Sequence, residues 1–101
     1  MTTDTDVIEK EKVETIIEEP HLYKVILHND DKTTMDFVIG ILMGIFHKSM
    51  EEAIHLTMTI HEEGSGVAGI YTKEIAEEKV NETTNYARSH GFPLSISYEE
   101  V

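Results

Sequence analysis

Four residues able to do chemistry stand together in "YKVILHNDDKTTMDF": His28, Asn29, Asp30 and Asp31. An apolar alternating run ends there, and an apolar helical pattern starts almost at once. Three chemistries suit such a junction. The plainest is turn chemistry, in which Asn and Asp satisfy backbone groups and set negative charge near a helix N-terminus. The second is a metal ion held by His28, Asp30, Asp31 and the distant His61. Neighbours on an extended strand point to opposite faces, so His28 and Asn29 would diverge, which weighs against it. The third is a grip on a cation. Asp30 offers a carboxylate, Asn29 an amide oxygen and His61 an imidazole nitrogen, acceptors for the protons of one ammonium group. His61 accepts only when neutral, so acid should weaken such a grip.

The third chemistry needs elements that bring positions 29, 30 and 61 together. "LYKVILH" reads as a strand with Tyr23, Val25 and Leu27 on one face, and "NDDKT" as the loop after it. Thr33 with Asp36 resembles a capping box, so a helix is expected from about Thr34 through "MDFVIGILMGIF". It is apolar nearly all round, which marks it as central to the core. Gly40 and Gly44, one turn apart, suggest a close backbone approach there. Ser49 and Glu52 repeat the capping signal and start a second helix, "MEEAIHLTMTIHEEG", which Gly64 ends. If these helices pack antiparallel as a hairpin, the end of the second returns beside Asn29 and Asp30. Thr57 then lies one turn before His61 on the same face. Met35, Val38 and Ile60 add apolar groups. A polar mouth over an apolar pocket suits a ligand with a free amine and a large apolar side chain, such as the first residue of a polypeptide.

Further along, "SGVAGIYT" reads as a second strand. Thr72 caps a third helix whose inner stripe is Ala76, Val80, Thr83 and Ala87, closed by Gly91. "FPLSISY" is a last strand with Leu94, Ile96 and Tyr98 on one side. The order is β-α-α-β-α-β, which predicts an α+β fold: a three-stranded, mostly antiparallel sheet packed against three helices. Residues 1–20 hold seven acidic and two basic residues and no aromatic, and read as a flexible, disordered acidic arm. Residues 21–101 form the expected domain.

The chain has 101 residues, no cysteine and a net charge of −12. That charge disfavours nucleic acid and anionic membranes, and favours a cationic ligand or a basic partner surface. Without cysteine there is no disulfide, thiolate nucleophile or zinc–thiolate site. "MTTDTDVIEKEKVE" lacks the basic and apolar regions of a signal peptide. The longest apolar run, Phe37 to Phe46, falls short of the roughly 20 residues a membrane helix needs. A monomeric cytoplasmic protein is expected. No serine sits in a G-x-S-x-G turn. "HEEGS" lacks the second histidine of a zinc-protease helix, and no nucleotide-binding P-loop is present. The expectation is a binding protein with neither cofactor nor metal, and not an enzyme.

"YKVILHNDD", "T-x-M-D-F-V", "HEEGSGVAGIYTKEIAEEKV", "YAR" and "GFPL", in order and at matching spacing over residues 22 to about 100, resemble the ClpS family, adaptors of the ATP-dependent Clp protease. The resemblance implies a protein that binds N-terminal Leu, Phe, Tyr or Trp and delivers its bearer to the ClpA unfoldase for degradation by ClpP. Carried over by motif, Asn29, Asp30 and His61 would take the α-amino group. Thr33 would shape the mouth, and Met35, Val38, Thr57, Ile60 and Leu94 would line the side-chain pocket, with Met35 a gate against β-branched residues. Glu74 and Lys79 match positions that dock on the ClpA N-terminal domain; as residues alone they are an ordinary pair of exposed charges. The acidic arm would engage ClpA during delivery. The position of Thr57 is commonly Met in the family, so the usual ranking among Leu, Phe, Tyr and Trp need not hold. Thr34 replaces a common proline. The alternative reading is a ClpA-docking modulator with weak or no N-terminal-residue binding; a metal-dependent enzyme comes third.

Overall fold

The computed structural model describes residues 21–101; the acidic arm expected over residues 1–20 lies outside them. Six elements follow in the expected order: β1 (Leu22–His28), α1 (Met35–Gly44), α2 (Met50–Glu63), β2 (Ser65–Thr72), α3 (Lys73–Ser89) and β3 (Ser95–Glu100). The strands form one sheet in the order β2-β1-β3, and both pairings are antiparallel. Val25 and Leu27 of the central strand are fully buried, and Tyr23 on the same face is half-buried. β1 pairs Val25 with Gly69 and Ile26 with Val67, so Ala68 is the extra residue of a bulge, and its side chain is buried. The far end of the sheet is closed by the Val101 amide, which donates to the Leu22 carbonyl at 2.9 Å.

The helices cover one face of this sheet. α1 buries Val38, Ile41 and Leu42, and the turn after it adds Ile45 and Phe46. Gly40 and Gly44 do not serve close packing, as the sequence suggested. A Cβ at either would meet nothing within 4 Å. At 100° per residue the two glycines fall on the side away from Val38, Ile41 and Ile45, so the helix is one-sided despite its apolar composition. Its cap also differs from expectation by one residue. Thr34 Oγ1 accepts from the Phe37 amide at 3.2 Å, which frees Thr33 for the preceding loop.

α2 begins with the expected capping box. Ser49 Oγ accepts from the Glu52 amide at 3.1 Å, and Glu52 Oε1 accepts from the Ser49 amide at 2.9 Å. It ends at Gly64, whose φ of 96° is the left-handed conformation that favours glycine. Thr72 occupies the N-cap of α3 but its side chain makes no capping bond. Arg88, in the last turn of α3, donates through Nη1 to the carbonyls of Phe92 at 3.0 Å and Leu94 at 2.7 Å. The loop that presents Leu94 is thereby clamped. Lys79 ties α3 to α1: its ammonium donates to the Ile45 carbonyl at 2.7 Å and sits 5.9 Å from the ring centres of Phe46 and Tyr71. A cation is favourable there, where a helix ends in unpaired carbonyls. No helix among the described residues is long and apolar enough to cross a membrane.

Candidate functional site

β1 runs out at His28, and the next backbone amide fixes the geometry of the site. Asn29 N–H donates to the Gly64 carbonyl at 2.8 Å, joining the loop after β1 to the end of α2. His61 lies three residues before Gly64, in the last turn of α2, so the hairpin of α1 and α2 does bring the ends together. The left-handed Gly64 makes this closure possible by turning the chain straight into β2.

Asp30 organises the loop. Its Oδ2 accepts from the Lys32 amide at 3.0 Å, the Thr33 amide at 2.8 Å and the Thr33 hydroxyl at 2.8 Å. All three donors converge on one oxygen, and Oδ1 takes part in none of these bonds. The Thr33 hydroxyl, with smaller help from the backbone amides of Thr33 and Lys32 and the Lys32 charge, holds the Asp30 carboxyl below the usual carboxylate range against partial burial. Asp30 is therefore a fixed, ionised carboxylate with one oxygen to offer.

A cavity of about 210 Å³ opens beside it, lined by His28, Asn29, Asp30, Asp31, Thr33, Met35, Val38, Thr57, Ile60, His61 and Leu94. Asn29, Asp30, His61, Thr33, Met35, Val38, Thr57, Ile60 and Leu94, singled out in the sequence for an amine grip and a pocket, thus line one space. Glu74 and Lys79 lie apart from it on α3. Asn29, His61 and Met35 are exposed, while Val38, Thr57, Ile60 and Leu94 are buried. Asp31 and His28 also line the cavity. Their place beside Asn29 and Asp30 in the sequence is the signal for both. The four-ligand metal arrangement is not assembled: His28 Nε2 shares a hydrogen bond with Ser97 Oγ at 2.7 Å, and the described residues hold no cluster of three His, Asp or Glu fit for a metal.

The apolar wall is set by a close approach. A Cβ on Gly66 of β2 would lie 2.8 Å from Ile60 Cγ1 and 3.0 Å from Leu56 Cδ1. Only glycine lets the strand lie this near α2, and the contact holds Ile60 in the cavity wall. Away from the cavity, on α3, Lys79 spends its ammonium on Ile45, so Glu74 is the more accessible charge of that pair.

The sequence model of the family described as "ATP-dependent Clp protease adaptor protein ClpS" matches residues 18–97. An ATP-dependent Clp protease adapter protein ClpS of Lawsonia intracellularis is 53% identical over 85 residues, covering 84% of this chain and 78% of its own. The protein of that description in Oleidesulfovibrio alaskensis is 48% identical over 98 residues, covering 97% and 90%. Among solved structures, Agrobacterium tumefaciens ClpS2 bound to L-phenylalaninamide superposes with a TM-score of 0.79 at 38% identity, over 82% of this chain and all of that one.

Proposed function

The chain belongs to the ClpS family of ATP-dependent Clp protease adaptors, and on that premise we propose that its cavity binds the first residue of a polypeptide and that the chain hands its bearer to the ClpA unfoldase. The observation that carries the reading is the cavity itself: an ionised Asp30 with a free oxygen, flanked by Asn29 and His61, over a buried wall of Val38, Ile60 and Leu94. The ligand of the Agrobacterium tumefaciens relative has the matching chemistry, a free α-amino group beside a benzyl side chain. Asn29, Asp30 and His61 take the ammonium. Thr33 braces Asp30, and Met35, Val38, Thr57, Ile60 and Leu94 surround the side chain. N-terminal Leu, Phe, Tyr and Trp are the substrates.

Two contributions must act together. Burying a Leu or Phe side chain contributes about 1.5–3 kcal/mol. Hydrogen bonds to a charged group add about 1.5–3 kcal/mol. Neither alone overcomes the loss of translational freedom on binding. Titrating a labelled peptide that begins with Leu or Phe should therefore give micromolar or tighter binding by fluorescence anisotropy, and acetylation of its N-terminus should abolish it. Equal binding of the acetylated peptide would refute the amine grip. Met35, exposed at the mouth on the first residue of α1, acts as the gate against β-branched residues. A Val-first peptide is excluded by the native protein and admitted by Met35→Ala.

Delivery uses another surface. Glu74 and Lys79 dock on the ClpA N-terminal domain, and the acidic arm of residues 1–20 assists the domain of residues 21–101. The adaptor works as a cytoplasmic monomer without catalysis of its own. Glu74→Lys should weaken binding to the isolated ClpA N-terminal domain at least about tenfold in a direct titration; an unchanged constant would move the docking surface elsewhere.

A further inference from the structure

Of the buried residues that line the cavity, Val38, Thr57, Ile60 and Leu94, only Thr57 is polar. Its Oγ1 is sealed from solvent and has no hydrogen-bond partner among the described residues. A helical threonine commonly settles its hydroxyl on the carbonyl four residues back. Thr59, on the same helix, does so with the His55 carbonyl at 3.2 Å. Thr57 makes no such bond. An unpaired buried hydroxyl is unfavourable, so an occupant that brings a hydrogen-bonding group to this depth is preferred to one that does not.

Depth and volume both suit one such group. Thr57 precedes His61 by one turn, which places it about 6 Å farther along α2 from the mouth. That is the reach of a tyrosine side chain from the carbon that bears its amine. An apolar cavity of about 150 Å³ accepts a benzene ring. The 210 Å³ here holds the ring with space for a hydroxyl.

We propose that Thr57 makes this cavity select tyrosine over phenylalanine as the first residue, through a hydrogen bond between the Thr57 hydroxyl and the tyrosine phenol. The inference rests on the reading of the cavity as a site for N-terminal residues. Two peptides that differ only in beginning with Tyr or Phe are titrated against the native protein, Thr57→Val and Thr57→Ser. The native protein should bind the Tyr peptide about three- to tenfold more tightly, as one neutral hydrogen bond allows. Thr57→Val keeps the shape and removes the hydroxyl, and should abolish or reverse the preference. Thr57→Ser should keep it. Each ratio is taken within one variant, so a general loss of stability cancels. If the native protein binds both peptides but shows no preference for Tyr, or if Thr57→Val retains the native ratio, the role of Thr57 falls and the N-terminal-residue site stands. If neither peptide binds the native protein, both fall together.

Discussion

Asp30→Asn should lower the affinity for a peptide beginning with Leu or Phe by at least about tenfold, or about 1.4 kcal/mol, with the domain still folded. The side-chain amide can keep its oxygen toward the three donors that now converge on Oδ2, the amides of Lys32 and Thr33 and the Thr33 hydroxyl. The loop is then retained. What changes is the outward side, where an NH₂ replaces a carboxylate oxygen and faces the incoming ammonium donor to donor. Loss of the charged acceptor and a new repulsion act in the same direction. Calorimetric titration gives the affinity, and thermal unfolding shows that the fold persists. An affinity within a factor of two of native, in a variant that melts normally, would remove Asp30 from the amine site. Asp30→Ala is the less informative change, because it also strips the loop of its organising acceptor.

Gly66→Ala should destabilise the domain and narrow the cavity together. The new methyl would stand 2.8 Å from Ile60 Cγ1 and 3.0 Å from Leu56 Cδ1. Ile60 is buried, so its branch cannot swing into solvent. Overpacking of this kind typically costs about 1–3 kcal/mol. For a domain of this size each kcal/mol lowers the melting temperature by roughly 4–8 °C. The strain has one soft outlet, the cavity, so Ile60 is pushed toward the ligand and affinity for large first residues drops as well. Gly40→Ala is the matched control. Its methyl meets nothing, and it replaces glycine inside a helix, so it should stabilise by about 0.5–1 kcal/mol. Equal melting temperatures for the two variants would show that β2 does not press on α2 as described.

The contrast between these glycines shows where the sequence was legible. All six elements were readable from apolar periodicity and from Ser49, Glu52 and Gly64, because those signals act over three or four residues. The tight glycines were not readable. Gly40 and Gly44 carry a familiar helical spacing and meet nothing, yet Gly66 and Gly69, in a strand without any such pattern, both lie against neighbours, Gly66 against Ile60 and Leu56 of α2 and Gly69 against Tyr71 of its own strand. Close approach of a strand to a helix is a property of two elements, and one element's sequence does not contain it. The first cap slipped by one residue for a related reason. Thr33 and Thr34 are equivalent as N-cap residues, and the choice was made by Asp30, which captures the Thr33 hydroxyl. The lining of the cavity was legible in part: the polar groups at 28–31 and His61 meet if the first two helices form a hairpin, whereas Thr33 and Leu94 were reached only through the family resemblance. The bond that brings the polar groups together, from the Asn29 amide to the Gly64 carbonyl, is backbone to backbone and leaves no trace in residue type. Nor did residue type show that Lys79, an ordinary surface lysine by composition, is turned inward onto Ile45.

The bond from Val101 to Leu22 has a practical corollary. It stitches the last residue to the start of the central strand, and Tyr23 pairs with Glu100 beside it. The cavity opens at the opposite end of that strand, past His28. Seven residues at about 3.3 Å each put roughly 20 Å between them. A dye or surface anchor coupled at Val101 would stand clear of an arriving peptide. Joining Val101 to residue 21 by a short linker and reopening the chain in an exposed turn would give a circular permutant whose pocket is unaltered.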